Sequence, residues 1–379
     1  MTRVQVVDPS AFTPPYDHAL CTALARAGAD VELITSRFVY GEVPQPDGYT
    51  VRKLFYRHAR GAPGSRLRST AKLAEHVPDM LGYRRVAARS AELVHFQWLA
   101  VQWLDSLLLP RGPVVLTAHD LLPREPRPGQ AWAQRRCYDA VDALIVHSEH
   151  GRRRLLEALT VDPAKVHVIH HGAFEYLTRQ PREDPLPGEL ARVEVPVVLC
   201  FGLLRPYKGL EVLLEAWRGV EGAELWIVGR PRMAFERLRA LAPPGVRFVP
   251  RFISEAELPA YFRRADLVVL PYTETERFDQ SGVLATALAF GVGTVLSDVG
   301  GFAEVAATGA ARLVAPGDPQ ALAGALQELI LDRHARERLA GGARAAAAGP
   351  YSWAAAGRRT LALYRTLMDG GRGSRRNVG

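Results

Sequence analysis

Arg205 and Lys208 stand three apart in the run Gly202-Leu203-Leu204-Arg205-Pro206-Tyr207-Lys208-Gly209, directly after the aliphatic stretch Val197–Phe201. Gly202 lets the chain turn sharply after a strand. A guanidinium is a planar, forked donor and an ammonium a compact charge. Set at the mouth of a helix, whose dipole also draws anions, the two suit a diphosphate. The plainer alternative is a pair of solvated cations beside a turn.

A second group follows the run Leu267–Leu270: Pro271-Tyr272, then Asp279-Gln280-Ser281-Gly282-Val283-Leu284. Polar residues and a glycine opening a helix offer free backbone N–H groups to phosphate or sugar oxygens. The competing reading is an ordinary cap made by Ser281 or Asp279. A third group, Gly300-Gly301-Phe302-Ala303-Glu304, follows Gly293–Ser297; its glycines permit close backbone approach, and Glu304 either serves a ligand or complements the helix dipole. In the first half, His119-Asp120 comes just past Val114–Thr117, and His95 past Leu93–Val94, both where a parallel sheet presents its ligands. Either histidine could instead be a satisfied structural one. His170 and His171 point different ways, and no Asp-x-Asp or His-Glu-x-x-His occurs, so no metal is expected. Glu274-Thr275-Glu276, the nearest thing to an acidic cluster, reads as a solvated loop.

The elements behind these residues alternate. Strand candidates at Val4–Asp8, Val31–Thr35, Leu93–Phe96, Val114–Thr117, Ala143–His147 and Val166–His170 are mostly separated by helical periodicity, as at Tyr16–Ala27, Leu67–Ala91 and Glu149–Leu159. Four prolines and weak periodicity mark Thr178–Pro196 as a linker. Alternation restarts at Val197–Phe201 and continues through Ala311–Val314 and a helix at Gln320–Leu331. This is an α/β pattern of two Rossmann-like domains with parallel sheets facing a central cleft. The expected parts are a first domain over 1–180, a linker over 181–195, a second domain over 196–350, a last helix over 351–369 that could fold back on the first domain, and a disordered basic tail over 370–379.

At 379 residues and 48% hydrophobic, the chain can bury two cores, which excludes a disordered or fibrous protein. No run is long and apolar enough to span a membrane, and the N-terminus reads as a strand and not a signal peptide. Cys21, Cys137 and Cys200 lie far apart, as reduced core thiols in a cytoplasmic protein would. Net charge is +8. Between Arg52 and Arg89 ten basic residues face only Glu75 and Asp79. That is either a solvated face or a surface for anionic lipid or a phosphorylated acceptor. Nucleic acid is not expected, because aromatics do not interleave with the charges.

Taken in order, these motifs resemble a retaining, nucleotide-sugar-dependent glycosyltransferase of the GT-B fold, family 4, over the span from the first strand to Trp353. The strongest segments are Phe201–Leu210, Ala265–Tyr272, Gln280–Leu284 and Asp298–Glu304. The resemblance implies that Arg205 and Lys208 hold the donor diphosphate. It also implies that Gly202 and the Gln280, Ser281, Gly282, Val283 and Leu284 turn line the donor phosphates and sugar, with Glu304 nearby. The backbone around Ile253 would face the base, and His119 would sit near the reacting sugar. Two features depart from the family pattern. Phe278 and Thr286 stand where many members carry glutamates, and Thr13-Pro14-Pro15-Tyr16-Asp17-His18 replaces a glycine-rich loop.

The expected activity is metal-independent hexosyl transfer from a nucleotide diphosphate sugar, UDP- or GDP-linked, to an acceptor hydroxyl with retention of configuration. No other cofactor is expected. A glycan, a lipid-linked sugar or a small molecule are all open as acceptors, with peripheral contact to an anionic membrane. The rivals are an epimerase- or phosphorylase-like enzyme of the same fold, and a non-catalytic module that binds a nucleotide sugar or a partner transferase.

Overall fold

Short aliphatic runs become parallel strands buried on both faces, which is why they read as near-continuous Val, Ile and Leu. The computed structural model describes residues 1–62, 64–121, 129–273 and 280–376, without the side chains of 371–376. The chain forms two units, one of residues 1–170 with the chain from 353 onward, the other of residues 171–352.

In the first unit, β1 (Thr2–Asp8), β2 (Ala29–Ser36), β3 (Thr50–Phe55), β4 (Leu93–Phe96), β5 (Val114–Thr117), β6 (Ala143–Val146) and β7 (Val166–Val168) form one parallel sheet, ordered β3-β2-β1-β4-β5-β6-β7. Helices α1 (Pro14–Arg26), α2 (Arg66–Ser90), α3 (Gln102–Leu108), α4 (Gln130–Ala140) and α5 (Glu149–Ala158) cover its faces. On α2 the buried residues His76, Met80, Tyr83 and Ala87 recur at helical spacing and bind the helix to the sheet. Leu67, Leu73 and Leu81 stay exposed.

The second unit opens with the single-turn helix α6 (Gly188–Ala191). Its sheet of β8 (Val197–Phe201), β9 (Glu224–Val228), β10 (Val246–Val249), β11 (Leu267–Leu270), β12 (Thr294–Ser297) and β13 (Ala311–Val314) is ordered β10-β9-β8-β11-β12-β13. Helices α7 (Leu210–Trp217), α8 (Phe235–Leu241), α9 (Leu258–Arg264), α10 (Gly282–Phe290), α11 (Phe302–Ala306), α12 (Pro319–Leu331) and α13 (Arg333–Ala348) surround it. In each sheet the strand order reverses once, between β1 and β4 and between β8 and β11. Ligands of open parallel sheets bind beyond the strand ends at such points.

The last helix, α14 (Trp353–Arg376), belongs to the first unit and lies along α1. Gly357 makes that approach feasible: a Cβ there would stand 2.7 Å from the Ala23 carbonyl oxygen. Tyr364 and Leu361 enter the core beside Leu20 and Val6.

Several boundaries differ from those expected of the sequence. Residues 181–195 lie within the second unit and are held to it, because Leu190 is buried in its core and Glu183 pairs with Arg263 at 2.8 Å. The last helix runs on through 370–376, the start of the expected tail. Strand β3 and helices α3, α4, α6 and α13 are not among the elements expected of the sequence.

Candidate functional site

In the second unit, the turn after β8 is built by exclusion of side chains. Gly202 has φ +102°, and a Cβ there would lie 2.8 Å from Lys208 Nζ and 3.1 Å from Val283. Gly209, at φ +65°, is pressed on the Pro271 carbonyl oxygen, 1.8 Å from where a Cβ would be. Gly202, Lys208, Val283 and Pro271 are therefore brought together at the reversal between β8 and β11.

Lys208 is 4% exposed. Its ammonium donates to the Phe201 carbonyl at 3.0 Å and lies 5.5 Å from the centre of the Tyr272 ring. Burial pulls its pKa below the ordinary lysine value. A buried cation without a carboxylate partner is costly unless something anionic completes it. Arg205, half-buried, makes no ion pair among the described residues. Thr273 donates its backbone N–H to the Tyr207 carbonyl at 2.9 Å, which ties the cationic turn to the end of β11.

Ser281 precedes α10 but does not cap it; its hydroxyl hydrogen-bonds to that of Tyr272 at 3.1 Å. Among the described residues, the first-turn N–H groups of Gly282, Val283 and Leu284 have no side-chain cap. The Leu284 side chain is buried, so only its backbone can serve a ligand. The Gln280 amide reaches the Gly301 carbonyl at 3.4 Å, which sets it beside the short turn that carries Glu304. Ile253 points into the core with Tyr272 and Phe302, leaving its backbone for any ligand contact. The loop holding it is closed by Arg251 and Glu257 at 2.6 Å. Thr286 turns its hydroxyl back on the Gly282 carbonyl at 2.8 Å. Phe278, Asp279 and Glu274–Glu276 lie outside the described residues.

In the first unit, His119 sits just past β5. Its ring stacks on Trp98, 4.9 Å between centres at 17°, and meets Tyr16 edge-on at 4.6 Å. His119 Nε2 lies 3.1 Å from Gln97 Oε1, and Gln97 Nε2 lies 3.3 Å from His95 Nε2. His95 also meets Tyr364 through Nδ1 at 2.6 Å and Thr117 through Nε2 at 2.8 Å. Burial pushes His95 down to about 3, so its ring is neutral. With Gln97 donating to His95 Nε2, the tautomer follows: His95 Nδ1 donates to Tyr364, and His119 Nε2 donates to Gln97.

His119 also borders a cavity of about 810 Å³ lined by Phe12, Trp98, Trp103, Trp132 and Tyr138. The sequence pointed to His119 and His95. It did not single out Gln97, Trp98 or Tyr364 as their partners, although Gln97-Trp98 directly follows β4. Among the described residues, no three His, Cys, Asp or Glu side chains gather to hold a metal ion.

Comparison with known proteins fits this arrangement. The family described as Glycosyltransferase Family 4 matches residues 16–173, and that described as Glycosyl transferases group 1 matches 195–332. The D-inositol 3-phosphate glycosyltransferase of Kineococcus radiotolerans is 29% identical over 399 residues, covering 92% of this chain and 89% of the relative. The GDP-mannose:glycolipid 4-beta-D-mannosyltransferase of Xanthomonas campestris pv. campestris is 30% identical over 251 residues, 57% of this chain and 66% of that one. The structure of Anabaena HepE in complex with UDP-glucose superposes with a TM-score of 0.72 at 18% identity, over 97% of this chain and 100% of that one. With both halves matched in their proper order, the chain belongs to the glycosyltransferases of family 4, built on the GT-B fold.

Proposed function

We propose that this glycosyltransferase moves a hexosyl unit from a nucleotide diphosphate sugar to an acceptor hydroxyl with retention of configuration and without a metal ion. The observation that carries the reading is Lys208, a buried ammonium without a carboxylate partner among the described residues, held against Gly202 and beside the start of α10, which Ser281 does not cap. A donor diphosphate supplies the missing anion. As the bond from the sugar breaks, negative charge grows on the departing diphosphate and the sugar takes on oxocarbenium character. Arg205, Lys208 and the N–H groups of Gly282–Leu284 are set to stabilise that charge. The leaving phosphate itself takes the acceptor proton, so no side-chain base is required. UDP or GDP carries the sugar; relatives and structural neighbours named for GDP-mannose and UDP-glucose support both.

The acceptor belongs to the first unit, at the aromatic cavity beside His119. The Gln97 and His95 relay fixes that imidazole with Nε2 as a donor, which suits it to position a sugar or acceptor oxygen. The protein works in the cytoplasm. The basic face of α2, with Leu67, Leu73 and Leu81 exposed, rests on an anionic leaflet.

The test is direct. The protein is incubated with UDP-glucose and with GDP-mannose, and nucleotide release and product anomer are followed by NMR. Release from neither donor, or a product of inverted configuration, overturns the reading.

A further inference from the structure

Beyond the carboxyl ends of β1 and β2, where α2 begins, lies a small pocket of about 90 Å³. Ser10, Arg37, Tyr40, Arg68, Ser69 and Lys72 line it. Three cations converge there, and none has an ion pair among the described residues. Asp8, the acid that acts on Lys72, has its carboxylate occupied by the backbone N–H groups of Ser10, Phe12 and Thr13. Lys72 stands 4.9 Å over the face of Tyr56. Burial and the neighbouring Arg68 lower its pKa, against a smaller opposing pull from Asp8.

The pocket is also held rigidly. The Tyr56 hydroxyl meets His76 Nδ1 at 2.8 Å, His76 is bonded in turn to Asp105, and Asp105 accepts from the Val101 N–H at 2.8 Å. Ala11, at φ +51°, follows Ser10, and Tyr56, at φ +53°, lies under Lys72. These are the two non-glycine residues with left-handed backbone among the described residues. Backbone strain of this kind persists where surrounding structure enforces it, and it gathers at ligand clamps.

We propose that this pocket is a subsite for a phosphate group carried by the acceptor. Its volume is about three waters' share of liquid, enough for one tetrahedral anion and too small for a sugar ring. Two arginines and a lysine supply charge and forked geometry, and Ser10 supplies a neutral donor. The occupant's role as acceptor rests on the glycosyl-transfer reading; the anion site itself does not. A soluble phosphate monoester and a lipid headgroup present the same group.

Calorimetric titration of the full chain with inorganic phosphate and with glycerol 3-phosphate tests this without turnover, so the transferase reading stands or falls separately. The proteins compared are the native chain, Arg205→Ala, Arg68→Gln, Lys72→Met and Lys72→Arg. Binding should persist in Arg205→Ala, weaken at least about tenfold in Arg68→Gln and Lys72→Met, and return in Lys72→Arg. Arg68 also holds the Ala59 carbonyl at 2.9 Å, so Lys72→Met, which breaks no hydrogen bond, is the decisive variant. Cosedimentation with phosphatidate and with neutral vesicles runs alongside. Loss of glycerol 3-phosphate binding in Lys72→Met identifies a soluble source. Binding to phosphatidate vesicles alone, lost likewise in Lys72→Met, identifies a lipid headgroup. Absence of both, or binding that Lys72→Met leaves unchanged, overturns the proposal.

Discussion

Tyr364 and His95 lie 269 positions apart in sequence and share a hydrogen bond of 2.6 Å inside the first unit. Through it the last helix of the chain sets the tautomer of His95, the orientation of Gln97 and so the proton position on His119. Tyr364→Phe removes the hydroxyl and leaves a buried imidazole nitrogen unsatisfied. The expected cost is about 1–3 kcal/mol of stability, with a raised KM for acceptor and little change in the KM for donor. Thermal melts and two-substrate kinetics check both halves; an unchanged melt together with an unchanged acceptor KM disproves the relay.

Arg205→Ala and Lys208→Met should each lower turnover by at least about tenfold while circular dichroism stays native, since removal of one preorganised donor commonly costs about 10²–10³ in rate. Methionine is the better probe at 208, because it fills the buried channel of the lysine stem. Near-native turnover in both variants would remove the diphosphate assignment.

Activity should survive chelation. Exhaustive EDTA treatment followed by assay is expected to leave most of the rate. Complete loss, restored by Mg²⁺ or Mn²⁺, contradicts the metal-free reading of Arg205 and Lys208.

Stability should fall in mild acid. Burial holds His95 near 3 and His147 near 4, against 6.5 for a free imidazole. Between pH 6.5 and about 4 the unfolded chain therefore binds protons that the folded chain refuses. Each histidine then removes up to about 1.4 kcal/mol per pH unit. Asp8 and Asp17, both raised by burial, act in the opposite sense above 3.8 and reduce the net slope. A melting temperature that is flat or rising from pH 6.5 to 4.5 would contradict this balance.

The exposed face of α2 should seek anionic membranes. Each Lys or Arg near such a surface contributes about 1 kcal/mol, and the attraction decays over about 8 Å at physiological salt. Cosedimentation with anionic vesicles should fall as salt rises, and Leu67→Ser with Leu73→Ser should weaken it further. A protein that stays in the supernatant at low salt has no such contact. Val77, on the same helix, is partly buried against the core and adds nothing to this face.

How much of this could be read beforehand depends on where the partners lie in sequence. Strands such as Val197–Phe201 and Leu267–Leu270 declare themselves, because burial on both faces demands unbroken aliphatic runs. Strand β3 does not, since it is an edge strand whose Arg52 and Lys53 remain accessible. Helix α13 hides its buried side in alanines, at 335, 343, 346 and 347, among arginines. Arg205 and Lys208 were legible as a pair because one turn holds both. Arg68 and Lys72 read as part of a basic stretch, and Arg37 lies outside it. Only the fold of β2 against α2 turns them toward one point, and no local pattern encodes that.

The return of α14 to the first unit fixes the order in which the protein can be completed during synthesis. Residues 1–170 leave the ribosome first, yet the helix that carries Leu361 and Tyr364 follows only after the whole of the second unit. At ~5–20 residues per second that interval is on the order of ten to forty seconds. Throughout it, the groove beside Leu20 and Ala23 faces solvent, and His95 lacks its tyrosine. The nascent first unit is thus held short of its final state until the last helix emerges. A chain stopped before Trp353 would carry a complete second unit and a first unit that has no means of closing its core.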